Sequence, residues 1–161
     1  MRHTISVLVE NKAGVLARIA GLFSARGFNI DSLAVGETED PSVSRMTIVV
    51  KGDENIIEQV DKQLNRLIDV IKVSDISELP HLESDLALIK VSAEGAKRAE
   101  IMQVADIFHA KIVDVSASTV IIEMTGDEEK IEAFIKMLEP FGVKEMVRAG
   151  TVAMLRGGVK K

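Results

Sequence analysis

The run His3-Thr4-Ile5-Ser6-Val7-Leu8-Val9 alternates side chains with the period of two that marks a strand with one buried face. Directly after it, Val15, Leu16, Ile19, Leu22 and Phe23 recur every three or four positions, which predicts a helix with one apolar stripe. Two runs rich in β-formers follow, 29–37 and 44–51, and the turn-forming Glu39-Asp40-Pro41-Ser42 between them predicts a hairpin. Asp53 offers a cap for a second helix whose stripe is Ile57, Val60, Leu64, Leu67 and Ile68. A strand over 69–76 closes the unit. The order βαββαβ is the split unit in which two helices cover one face of a four-stranded antiparallel sheet.

The chain then repeats itself. Ile19-Ala20-Gly21-Leu22-Phe23-Ser24-Ala25-Arg26 parallels Val104-Ala105-Asp106-Ile107-Phe108-His109-Ala110-Lys111, and Gly52-Asp53-Glu54-Asn55-Ile56-Ile57-Glu58 parallels Gly126-Asp127-Glu128-Glu129-Lys130-Ile131-Glu132. The second copy has a strand over 87–92, a helix carrying Ile101, Val104, Ala105 and Phe108, β runs over 112–117 and 119–125, and a helix bearing Ile131, Phe134, Ile135 and Leu138. The polar stretch 77–84, with Pro80 inside it, reads as the linker between domains 1–76 and 85–161. The fold class is α+β, two βαββαβ domains. Each copy leaves one sheet face without helices, so an oligomer that buries a face or pairs edge strands is expected.

Composition narrows the function. With 47% hydrophobic and 28% charged residues in 161, the chain has the makeup of a globular protein with an ordinary core. A net charge of -5 with scattered lysines and arginines argues against a nucleic-acid partner, and five phenylalanines as the whole aromatic complement provide no base-stacking platform. No apolar run reaches the roughly 18 residues of a membrane span. The absence of cysteine removes disulfides and thiolate chemistry. Without the charged and apolar blocks of a secretory signal at the N-terminus, a cytoplasmic location is expected.

Candidate chemistry concentrates at the turn from first strand to first helix. The second copy has Gly95 and Ala99 in this region, the repeat placing Ala99 opposite Gly14. A glycine at a helix mouth lets a ligand reach the backbone, and the free N–H groups there suit a carboxylate. Asn11, and Asn29 from the start of strand two, can accept from an ammonium or donate to a carboxylate. Val15, Leu16 and Ile30 are placed to wrap an aliphatic side chain, which favours valine, leucine or isoleucine. The same residues also admit a structural role: Gly14 as a helix-entry turn, Asn11 as a capping amide, Asn29 as part of a helix-to-strand loop. His3, His81 and His109 have no nucleophile or acidic partner nearby in sequence, so no catalytic residue is assigned. Asp127-Glu128-Glu129 reads as a helix first turn complementing the dipole, so no metal site is assigned either, and no phosphate-loop or dinucleotide fingerprint occurs.

Over essentially the whole chain the residues resemble the regulatory subunits of acetohydroxyacid synthase, also called acetolactate synthase. The first copy is similar to that family's ACT domain through Ser6-Val7-Leu8-Val9-Glu10-Asn11-Lys12-Ala13-Gly14-Val15-Leu16, Leu22-Phe23-Ser24-Ala25-Arg26-Gly27-Phe28-Asn29-Ile30 and Ser44-Arg45-Met46-Thr47-Ile48. The second is similar to its C-terminal ferredoxin-like domain through Leu88-Ile89-Lys90-Val91, Lys111-Ile112-Val113-Asp114-Val115 and Arg148-Ala149-Gly150-Thr151-Val152-Ala153. The resemblance implies a non-catalytic subunit that dimerises through its ACT domains. It implies that valine, or leucine or isoleucine, binds between Asn11, Ala13, Gly14, Val15 and Leu16 of one chain and Asn29 and Ile30 of the other. It further implies feedback inhibition and stabilisation of a large catalytic subunit, which carries thiamine diphosphate, magnesium and FAD, with no cofactor on this chain. Two other readings stay open: a stand-alone amino-acid sensor, and a small acyl-phosphate hydrolase on the same fold. The second needs a catalytic arginine in the first loop, where Lys12 is the only cation.

Overall fold

The computed structural model describes residues 1–160. Its contacts divide the chain into two units, Met1–Leu82 together with the chain from Thr151 onward, and Glu83–Gly150. The first unit holds β1 (Arg2–Glu10), α1 (Val15–Ala25), β2 (Ile30–Glu37), β3 (Val43–Lys51), α2 (Glu54–Asn65) and β4 (Val70–Asp75), in the expected βαββαβ order. All strand pairs are antiparallel and the spatial order is β2-β3-β1-β4. Period-two burial puts Ile5, Val7, Val9, Met46, Ile48 and Val50 on the helix-covered face, against Val15, Ile19 and Phe23 of α1 and Ile57, Val60 and Leu64 of α2.

The second unit holds most of β5 (His81–Ser92), then α3 (Lys97–Ile107), β6 (Lys111–Val115), β7 (Thr119–Gly126), α4 (Glu128–Leu138), a short 3-10 turn (Glu139–Phe141) and β8 (Val143–Arg148). The order β6-β7-β5-β8 repeats the arrangement of the first sheet. Ala87, Ile89, Val91, Val120, Ile122 and Met124 pack against Ile101, Ala105, Ile131, Phe134 and Leu138. Arg148 fastens the end of β8: its Nε and Nη2 donate to Asp85 Oδ2 at 3.0 and 2.7 Å, and its Nη1 to Glu132 Oε1 at 2.6 Å.

Several details differ from the sequence reading. Only residues up to Pro80 of the expected 77–84 linker lie outside regular structure, because β5 begins at His81. The chain from Thr151 joins the first unit, whereas the sequence reading carries the second domain to 161. Within that segment β9 (Val152–Leu155) packs against β1, and the Thr151 amide donates to Ser32 Oγ at 2.8 Å. The stripe of α2 ends at Leu64 because the helix stops at Asn65. The following turn, with Val70 N–H bonded to Leu67 O, leaves Ile68 95% exposed. Finally, α3 has Ala96 as its N-cap, so Ala96 rather than Ala99 stands opposite Gly14.

Candidate functional site

Residues 11–14 carry the chain from β1 into α1, and Gly14, the N-cap, sits at φ +87° and ψ -11°. That left-handed conformation costs an L side chain about 1–2 kcal/mol, so the position selects glycine. No side chain caps α1, and its first turn holds no acidic residue. Apart from the Val15 N–H, which reaches Lys12 O at 3.5 Å, the first-turn amide donors and the positive end of the helix dipole therefore remain for an anion arriving at the loop.

Asn11 is anchored to the β2–β3 hairpin. Its backbone N–H donates to Ser42 O at 2.8 Å, and its Nδ2 donates to Pro41 O at 2.9 Å and Glu37 Oε1 at 3.1 Å. Because both partners are acceptors, the NH₂ end of the amide is spent on them and Oδ1 is left to accept. Of the two hydrogen-bonding roles open to Asn11 in the sequence, accepting is the one left to its side chain. Lys12 Nζ pairs with Glu10 Oε2 at 2.8 Å, which raises its pKa through the hydrogen bond and charge of Glu10. Arg18, one turn into the helix, pairs with Asp69.

The remaining predicted residues divide. Ala13 is exposed and Leu16 is 45% exposed, so Leu16 offers aliphatic surface beside the loop. Val15 instead belongs to the core. Asn29 is exposed, with its Nδ2 on Asp31 Oδ1 at 2.9 Å, and Ile30 is half-buried against the core. Ile30 pairs with Val50, which pairs with His3, so it lies level with the start of β1, whereas Asn11 follows the end of that strand. At about 3.3 Å per residue this separates Ile30 from Asn11 by roughly 25 Å within one chain. Asn11, Ala13, Gly14 and Leu16 come together; Asn29 and Ile30 do not join them in a single protomer.

Two clusters went unread in the sequence. His3, 6% exposed, has Nδ1 3.0 Å from Asp75 Oδ2, so the acidic partner missing from its sequence neighbourhood comes from β4. Ser77 closes that cluster, donating from its N–H and hydroxyl to Asp75 Oδ1 and accepting the Thr4 N–H on Oγ. Secondly, a cavity of about 270 Å³ in the first unit is lined by Ser6, Glu39, Arg45, Ile76 and β9 residues. The available signal was Arg45, which shares the helix-free face with Leu8 and Ser6, and a final alternating run over 151–155. Among the described residues no group of three or more His, Asp or Glu side chains is arranged to hold a metal, and no helix is long and apolar enough to cross a membrane.

Comparison with known proteins accounts for both units. Residues 5–72 match the family described as the AHAS small subunit-like ACT domain, and residues 84–157 match the small subunit of acetolactate synthase. A probable acetolactate synthase small subunit from Archaeoglobus fulgidus is 59% identical over 160 residues, 99% of this chain and 100% of that protein. The chain belongs to the acetolactate synthase small-subunit family. A second relative in this family, the acetolactate synthase small subunit of Aquifex aeolicus, is 55% identical over 96% of this chain and 81% of its own. The crystal structure of the acetolactate synthase small subunit from Thermotoga maritima superposes with a TM-score of 0.91 at 48% identity, covering 99% of both chains. Membership makes the chain a regulatory small subunit with an ACT domain and implies a catalytic large subunit as its partner. An acyl-phosphate hydrolase on this fold needs an arginine in the first loop, where the cation is Lys12, paired with Glu10.

Proposed function

We propose that this subunit senses valine, or a closely related branched-chain amino acid, and adjusts the catalytic subunit of acetolactate synthase by feedback. The observation that carries the reading is the uncapped helix mouth at Gly14 beside an Asn11 amide whose carbonyl is free to accept. The ligand carboxylate takes the amide groups of the first turn of α1, the ammonium takes Asn11 Oδ1, and Leu16 contributes aliphatic contact. Asn29 and Ile30 complete the site from a second copy, because within one chain they lie at the other end of the strands. This makes the effector a link between two ACT domains. Thiamine diphosphate, magnesium and FAD belong, in this reading, to the catalytic partner.

Coupling of this kind is typically about 1 to 3 kcal/mol and is reciprocal: if valine weakens the productive complex, the catalytic subunit weakens valine binding by the same factor. Isothermal titration with valine, leucine, isoleucine and serine, on wild type and Gly14→Asp, tests the site. Saturable binding of the aliphatic ligands alone is expected, with the component at the helix mouth greatly weakened in Gly14→Asp, because the substitution brings strain and a negative charge to the carboxylate's position. Undiminished binding in Gly14→Asp would remove the helix mouth from the site.

A further inference from the structure

We propose that the cavity between the helix-free face of the first sheet and β9 is a second effector site, for a small aliphatic α-amino acid. Arg45 is half-buried there, and its Nη1 donates to Ser6 Oγ at 3.0 Å. No carboxylate among the described residues forms an ion pair with Arg45. A half-buried guanidinium without an anionic partner can receive a carboxylate, which it can hold through two parallel N–H donors. Glu39 lines the same cavity from the exposed β2–β3 loop and has no basic partner among the described residues. Ile76, Ala153 and Leu155 add aliphatic side chains to the same lining.

Two unpaired charges of opposite sign, with aliphatic side chains in the same lining, fit a small zwitterion with a hydrocarbon side chain. A 2-oxo acid of the same skeleton brings nothing for Glu39. The volume, about 270 Å³, lies below the roughly 300–1,000 Å³ of sites for drug-sized ligands and restricts the occupant to something small. Ala153, Met154 and Leu155 all come from the tail, so an occupant also holds the tail against the sheet. Glu39 lies in the hairpin segment whose flanks, Glu37 and Pro41, are gripped by Asn11, which places the two sites on either side of one loop without sharing a lining residue.

The test titrates the isotope-labelled full chain with valine and with its 2-oxo analogue, following amide shifts, in wild type, Gly14→Asp, Arg45→Gln and Glu39→Gln. In wild type and in Gly14→Asp, valine is expected to shift the amides of Ala153, Met154 and Leu155 saturably. Arg45→Gln is expected to weaken that response about tenfold or more, as loss of a charge-assisted contact does. Glu39→Gln, on an exposed loop that tolerates substitution, is expected to weaken it too, and the 2-oxo acid to bind more weakly than valine. The proposal is overturned if valine leaves the tail amides unmoved in wild type, if the response survives both charge substitutions unchanged, or if the 2-oxo acid matches valine. If Gly14→Asp loses no affinity while Arg45→Gln loses all of it, the cavity stands and the helix-mouth reading falls.

Discussion

At the scale of single residues, the cluster of His3, Asp75 and Ser77 has a definite acid signature. Burial pushes the Asp75 carboxyl up, but the Ser77 hydroxyl and amide and the His3 ring together outweigh it and hold its pKa below the ordinary value. A carboxyl whose pKa is lower folded than unfolded contributes stability that is present above about pH 4 and is lost as pH falls through the folded value. Asp75→Asn is therefore expected to lower stability at pH 7 and to flatten the acid limb of the unfolding curve below about pH 4. Denaturation followed across that range decides it, and coincident acid limbs for variant and wild type would refute the linkage. Residue type alone revealed Gly14 and Asn11, because glycine and asparagine betray local backbone needs. It could not reveal the His3–Asp75 pair or the Arg45 cavity, whose members are brought together only by strand pairing and by the tail.

At the scale of elements, the repeat is one of helix entry as much as of hydrophobic pattern. Asp53 Oδ1 accepts from the Ile56 N–H at 2.9 Å, and Asp127 Oδ1 from the Lys130 N–H at 2.8 Å. The preceding Gly52 is kept by close approach, since a Cβ there would lie 2.9 Å from Ile56, whereas one on Gly126 would meet the Lys130 side chain, which can swing away. Asp53→Ala is expected to cost about 1 kcal/mol, and Asp53→Asn much less, since the amide oxygen can still accept. Thermal melts of the two variants measure this; equal melting temperatures would mean the cap contributes nothing. Six elements of the first unit were legible because apolar stripes and caps agree there. By contrast β8 was not, since its four central residues are exposed and show no alternation, and β9 spans only four residues. The error over Ala99 arose from aligning helix stripes, which slide by a turn more easily than helix starts do.

On the scale of the whole molecule, the first unit is built from both ends of the chain while Glu83–Gly150 forms a unit of its own. On the helix-free face of the first sheet, Thr4, Ser6, Thr47 and Val49 are all buried. Truncation after Gly150 removes the Thr151–Ser32 hydrogen bond and the burial of Ala153, so the first unit is expected to lose about 1 kcal/mol or more. Hydrogen exchange of the β1 and β3 amides, compared between the full and truncated chains, reads this directly, and unchanged protection would show the tail to be a passenger. The same arrangement governs how the protein is born. As the ribosome works at roughly 5–20 residues per second, β1 to β4 emerge several seconds before β9, which packs against β1, with all of Glu83–Gly150 translated in between. During that interval the part of the helix-free face that β9 packs against is open to water. That face is rich in hydroxyl side chains, so the nascent sheet presents water with a surface it tolerates rather than a template for aggregation.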